Sequence, residues 1–255
     1  MKEMIVDDTA AKKYARKSLF AFVIFFLMLA AGYAAWRWLY TSPLDNGIKG
    51  GIQKPLRNGL NANEKIFQSV FNKNKLIKEY DKTEAVKKVR VNGSLGLDTA
   101  FDASAWKLQI VKENGDTIRI SLDEIRQMPK TEVVFNFKCI EGWSQITWWG
   151  GVRFSDFAKK YGLFAELQKN YVGMITPDKQ YYVGIDMPSI LQPQTILCYE
   201  MNGAPLPMNQ GYPLRLIIPV KYGVKHLKRI GTISFANQKP ADYWAEQGYD
   251  YYTGH

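Results

Sequence analysis

The chain has 255 residues, 46% hydrophobic and 14% aromatic, with 34 Lys+Arg against 24 Asp+Glu and a formal charge of +10. The apolar content excludes a disordered chain, and two cysteines with two histidines are too few for a disulfide scaffold, a four-Cys zinc or iron–sulfur site or a three-His catalytic zinc. Residues 1–90 hold 17 basic and 8 acidic side chains, a net of +9, whereas residues 91–255 hold 17 and 16, a net of +1; a body that carries so little excess charge is not expected to bind nucleic acid.

The segment Leu19–Trp36 contains no charged residue and continues past Arg37 into Trp38, Leu39 and Tyr40. It predicts a transmembrane anchor over residues 18–40, near the ~20 residues that cross a bilayer. Trp36, Trp38 and Tyr40 fall where amphipathic rings prefer the interface. Lys12, Lys13, Arg16 and Lys17 make residues 1–17 a basic cytoplasmic end, which places the body on the periplasmic side of the inner membrane in a single pass. A cleaved signal peptide is the competing reading, with Ala30-Ala31-Gly32 as the cleavage site, but the apolar run continues beyond it. Residues 41–87 read as a polar, basic spacer with short helices around Glu64–Lys75 and Lys78–Lys88, and its charge suits anionic lipid headgroups.

The body is expected over residues 88–255. Trp106–Val111 and Thr117–Ile120 read as strands joined by a turn at Glu113-Asn114-Gly115-Asp116. Ser121, with Glu124 three residues on, caps a short helix. Thr131–Phe137 alternates like a strand and runs into Cys139. Ser155–Tyr161 reads as a capped helix ending at Gly162. Tyr171–Thr176, Tyr181–Ile185 and Leu214–Pro219 read as strands, and Leu227–Phe235 continues the β-rich region. Strands outnumber helices without strict alternation, so the expected fold class is α+β.

Two stretches carry chemistry. Cys139 ends a strand in FNFKCIEGWSQITWW. A thiolate there suits a soft metal or acts as a nucleophile; the plainer account is a buried structural cysteine. A nucleophilic cysteine needs a base, and His226 is the one internal histidine, in a lysine-rich run where a solvated or anion-facing ring is the simpler reading. Cys198, in the apolar strand TILCYEM, reads as core. The second stretch supplies Arg215, Lys221, Lys225, Lys228 and Arg229 among Gly203, Gly211 and Gly223, a composition suited to a phosphate or to a solvated loop. Arg215 sits inside an apolar run, where a charge needs a partner. No glycine motif of a Rossmann or P-loop site is present.

The run Cys139-Ile140-Glu141-Gly142-Trp143-Ser144, together with YEMNGAPLPMNQGYPLRLIIPVKYGVKHLKRI and the later DYWAEQGYD, resembles the sulfite-oxidase family of molybdopterin enzymes over roughly residues 88–252. The likeness is to the single-domain bacterial members, which include the catalytic subunit of the periplasmic methionine-sulfoxide reductase. It implies a sulfite-oxidase-type domain of mixed β-sheets with short helices, a molybdenum–molybdopterin cofactor and two-electron oxygen-atom transfer. Residue by residue, it implies Cys139 as the protein ligand to molybdenum and Arg215 on the pterin or its phosphate. Lys228, with backbone from His226, closes round the phosphate, and Gln210 stands where many members carry histidine. Arg90 and Asn92 match an early pterin-contacting stretch, Thr176 a pterin or active-site contact, and Tyr182 the tyrosine near the metal. The substrate expected is a small molecule such as a sulfoxide, with sulfite as the alternative because few arginines are available for a dianion. A cofactor-free binding domain and a thiol enzyme are the rivals from other classes. The resemblance also implies a membrane-bound electron partner, haem- or quinone-linked. Ala15-Arg16-Lys17-Ser18-Leu19-Phe20 resembles a weakened twin-arginine export signal.

Overall fold

The structure, a computed structural model, describes residues 8–45, 51–72 and 74–255. The chain forms two compact units, one reaching to Asn58 and the other running from Gly59 to His255. In the first, helix α1 (Asp8–Thr41) exposes nearly all its described side chains and is long and apolar enough from Ala11 to Thr41 to cross a membrane. Its last turn is closed by Thr41 Oγ1 donating to Arg37 O at 2.8 Å and Ser42 Oγ to Trp38 O at 2.8 Å. A bridge from Leu44 to Gln53 and the Arg57–Asp45 ion pair at 2.5 Å lead into α2 (Lys54–Val70). This helix starts ten residues before the one expected around Glu64–Lys75. In its second half Glu64 is buried against Lys239 and Phe67 stacks on Tyr252.

Residues 77–89 are not a free spacer. Glu79 bridges to Phe135, and the Gln194 amide accepts from Ile77 N–H at 2.8 Å and donates to Ile77 O at 3.0 Å. Ile77, Val86 and Val89 pack into the core of a sheet. Three apolar side chains spaced along a polar stretch are enough to seat it. The helix expected over Lys78–Lys88 is a single 3-10 turn, Lys82–Glu84, capped by Asp81.

The second unit holds two five-stranded sheets. The first has the order β2-β1-β10-β5-β6, from β1 (Leu108–Val111), β2 (Thr117–Ile120), β5 (Tyr171–Ile175), β6 (Tyr182–Asp186) and β10 (Thr232–Ala236). β1 pairs parallel with β10, and the other pairs are antiparallel. The second has the order β3-β4-β7-β8, with β9 also on β7, from β3 (Thr131–Lys138), β4 (Ser144–Arg153), β7 (Ile196–Met201), β8 (Ala204–Pro205) and β9 (Arg215–Ile217). Mixed pairing with short helices is the α+β class expected. The Ser121–Glu124 capping box opens α3 (Leu122–Arg126), as the sequence indicates. α4 (Phe154–Lys160) differs from expectation. It starts at Phe154, which is buried and donates its N–H to Thr195 O at 3.0 Å, so core packing sets the start and no side chain caps it.

One core cluster runs from Leu108 and Ile110 through Phe157, Val172 and Ile185 to Ile233. The other is built on the second sheet from Val133, Phe135, Trp149, Ile196, Cys198 and Ile217. Cys198 is fully buried, as the sequence implies. The second sheet matters for function: the β3–β4 hairpin and the coil around β9 meet at one cleft.

Candidate active site

Pairing of β3 with β4 ends at Lys138 and Ser144, so residues 139–143 form the hairpin loop. Cys139 N–H donates to Trp143 O at 2.9 Å and Gly142 N–H returns to Cys139 O at 3.0 Å. This tight turn requires φ of +90° at Gly142, a conformation glycine adopts without steric cost. The Cys139 side chain is thereby fixed against a cleft with an empty volume of about 860 Å³, part of it open to solvent. Cys139 is 6% exposed, and burial pushes its thiol above the usual value.

The mouth on the hairpin side is polar and aromatic. Asn92 Nδ2 lies 3.7 Å from Cys139 Sγ and donates to Glu141 Oε1 at 3.2 Å. Trp143 Nε1 donates to Glu141 Oε2 at 3.0 Å, and the bonds from Trp143 and Asn92 hold the Glu141 carboxyl below the usual range. The Arg90 guanidinium lies 4.8 Å from the centroid of Trp143.

The opposite wall comes from the chain around β9. Arg215 is 3% exposed, with its guanidinium 4.6 Å from the centroid of Trp149. Nη1 donates to Gln210 O and Oε1, both at 3.0 Å, and Nη2 to His226 O at 3.4 Å. Its Nε is buried and without a partner, and Arg215 makes no ion pair with a carboxylate among the described residues. Burial lowers its pKa to about 10. Gln210 is set beside it by Gly211, which takes φ of +102° and approaches Lys228 Cα so closely that a Cβ would sit 2.9 Å from it. Lys228 Nζ donates to Asn92 O at 2.7 Å and Gly93 O at 2.9 Å. Burial, then Arg215, lowers its pKa to about 8.

His226 is buried, not solvated. Its ring packs edge-on against Phe137 with centroids 4.7 Å apart, Nδ1 faces Ile218 N–H, and Nε2 lies 3.1 Å from Lys221 O. Burial, then Arg215, lowers its pKa to about 3, so the ring is neutral at ordinary pH.

The structure therefore brings Arg90, Asn92, Cys139, Gln210, Arg215, His226 and Lys228 to one cleft. Thr176 and Tyr182 lie outside that lining. Thr176 Oγ1 donates to Asp178 Oδ1 at 2.6 Å and accepts Tyr181 N–H at 3.1 Å, holding a local turn. Tyr182 donates to Glu246, a bond that pushes its phenol up to about 12. Its neighbour Tyr181 faces the cleft instead and donates to Val224 O at 2.5 Å. Adjacent strand residues point to opposite faces, so a shift of one residue exchanges them. Glu141, Leu95, Phe137, Trp143, Trp149, Tyr181 and Trp244 also line the cleft. Glu141 and Trp143 had a signal in the sequence, following Cys139 in the same loop; Tyr181 and Trp244 come from a distant turn and a short C-terminal helix.

The basic run also divides. Lys221 pairs with Asp186 at 2.8 Å and Lys225 with Asp242 at 2.5 Å, all four side chains buried. Arg229 donates to Tyr212 O and Asp98 O over the ring of Phe101. The cleft receives Arg215 and Lys228 alone from this cluster.

Among the described residues no group of three or more His, Cys, Asp and Glu can hold a metal. A metal at Cys139 must take its other ligands from a cofactor. An unpaired buried arginine, a half-buried lysine and the close approach at Gly211 suit an anionic cofactor beside that thiol. The class these features define is a protein that holds an anionic ligand beside a buried thiol.

Residues 95–244 match the oxidoreductase molybdopterin-binding domain, and the chain belongs to this family, that of sulfite oxidase. It is thus a molybdopterin-binding oxidoreductase. A protein of Azospira oryzae named as a methionine-sulfoxide reductase subunit is 34% identical over 187 residues, 72% of this chain and 70% of that protein. The catalytic subunit of the protein-methionine-sulfoxide reductase of Xanthomonas campestris is 31% identical over 55% of this chain and 48% of its own length. Mitochondrial sulfite oxidase of Rattus norvegicus is 25% identical over 58% of this chain and 32% of its own.

Proposed function

We propose that the chain is a membrane-anchored molybdopterin oxidoreductase in which Cys139 ligates molybdenum and the substrate is a sulfoxide. The observation that carries the reading is that the buried Cys139 thiol shares one cleft with Arg215, a buried cation with an unpartnered nitrogen and no ion pair to a carboxylate among the described residues. Arg215, Gln210 and Lys228, with backbone from His226, would hold the pterin and its phosphate. When bound, the cofactor supplies two-electron oxygen-atom transfer. The protein's own part is to present the thiolate, exclude water with Phe137, Trp149 and Tyr181, and admit substrate past Arg90, Leu95 and Trp244.

Glu141 supports a neutral substrate. It is a carboxylate held beside Cys139 by Asn92 and Trp143, and it opposes the entry of a sulfite dianion. Two relatives are named for methionine-sulfoxide reduction, which agrees. Helix α1 would anchor the chain in the inner membrane with residues 1–17 in the cytoplasm, and the polar segment from residue 41, whose part from Ile77 onward is seated on the second sheet, would lie with the domain of residues 88–255 in the periplasm. Electrons would arrive from a membrane-bound haem- or quinone-linked partner. A turnover assay tests the substrate. With a reduced viologen dye, a small sulfoxide is expected to oxidise the dye, and sulfite with an oxidised dye is expected to give little turnover. Sulfite oxidation without sulfoxide reduction would overturn the assignment.

A further inference from the structure

We infer that Glu141 is a positioning residue for the Cys139 sulfur, acting through the side-chain amide of Asn92. The inference rests on the reading of Cys139 as the molybdenum ligand. A cysteine side chain in a hairpin loop turns freely about χ1 unless something outside the loop engages its sulfur. Here the Asn92 amide engages it from outside the loop, 3.7 Å from Sγ, while inside the loop the backbone N–H and carboxylate of Glu141 also bear on the sulfur. Asn92 itself belongs to irregular chain, so its amide has no secondary structure to orient it. Its backbone carbonyl is tied by Lys228 at 2.7 Å. Its amide group is tied by Glu141, which accepts one N–H at 3.2 Å and leaves the other for the sulfur. Glu141 is fixed in turn by Trp143 Nε1 at 3.0 Å, and the Trp143 ring lies between Phe137, with centroids 6.0 Å apart, and the Arg90 guanidinium. Each member of this brace is oriented by the next. Outer partners of this kind set the orientation and donor strength of a metal ligand.

The brace is tested on the full-length protein in two states. In cofactor-free protein, alkylation of Cys139 by iodoacetamide at one fixed pH is followed by mass spectrometry, with the fully buried Cys198 as internal reference. Glu141→Gln loosens the amide from the sulfur and is expected to raise the alkylation rate severalfold. Asn92→Ala is expected to raise it at least as far. Adding Glu141→Gln to Asn92→Ala is expected to raise the rate by clearly less than Glu141→Gln does alone, because part of the carboxylate's hold on the sulfur runs through the amide. In molybdenum-loaded protein, both single variants are expected to keep the metal and shift the thiolate-to-molybdenum absorption band in the same direction. An alkylation rate in Glu141→Gln equal to wild type, or full additivity with Asn92→Ala, would overturn the inference. Wild-type protein that takes up no molybdenum overturns the ligand assignment itself, a result the alkylation rates do not imitate.

Discussion

Of the five cations from Arg215 to Arg229, which look alike in sequence, two are paired, two face the cleft and one serves backbone carbonyls. Lys221 and Lys225 are buried beside Asp186 and Asp242, and the C-terminal rings of Tyr252 and Tyr251 lie 3.1 and 4.3 Å from their ammonium groups. They fasten the C-terminal segment to the first sheet. Arg215 is buried as deeply, yet among the described residues it forms no ion pair with a carboxylate, and one of its nitrogens is unpartnered at the cleft. A buried charge whose counter-ion is part of the fold is architecture; one whose counter-ion is missing marks where an anionic ligand belongs.

Removing one side of an architectural pair gives the largest effect. Lys225→Met strands the Asp242 carboxylate in the interior, and a loss of about 3–5 kcal/mol of stability is expected by denaturant unfolding. Arg215→Leu should behave oppositely. The net stability change is expected to be about 1 kcal/mol in either direction, since lost hydrogen bonds to Gln210 offset the relief of a buried charge. Pterin content after purification should fall roughly tenfold or more, as expected for losing charge-assisted bonds to an anion. A stability loss in Arg215→Leu as large as that in Lys225→Met would erase the distinction.

Acid should weaken the cleft side. His226 has a folded pKa of about 3 against an ordinary value of 6.5, so the unfolded chain binds more protons between those limits. The neutral ring's contribution is fully present above pH 6.5 and is lost as pH falls toward 3, with a slope approaching about 1.4 kcal/mol per pH unit. Thermal midpoints measured against pH should show this decline, and His226→Phe should flatten it. Tyr182→Phe should do least, costing about 1 kcal/mol through its bond to Glu246 and leaving pterin content unchanged. A drop in pterin content there would return Tyr182 to the site.

The residues legible in the sequence were those whose local setting was odd. Cys139 ended a strand before a glycine turn, and Arg215 interrupted an apolar strand. The fates of Lys221 and Lys225 were hidden because Asp186 and Asp242 lie far along the chain, and only folding brings them near. The resemblance points to Tyr182, but aromatic type does not reveal which side of the sheet a residue takes, and it is Tyr181 that lines the cleft. The strand β4 was missed: its Trp pair and Gly150-Gly151 interrupt the alternation, and at Gly151 a Cβ would meet Leu197 O at 2.2 Å, so that glycine answers to β7 rather than to any local turn. Residues 77–87 read as spacer because their composition is polar, while the seat of Ile77 is made by Gln194, which lies far along the chain.

The central claim is that one thiol and one unpaired arginine define a molybdopterin site. Molybdenum and pterin content of purified protein, expressed with molybdate, measures it most directly. The account predicts near-stoichiometric molybdenum in wild type, its loss in Cys139→Ala, and joint loss of metal and pterin in Arg215→Leu. A natively folded wild-type protein free of both metal and pterin, or full molybdenum retention in Cys139→Ala, would contradict it.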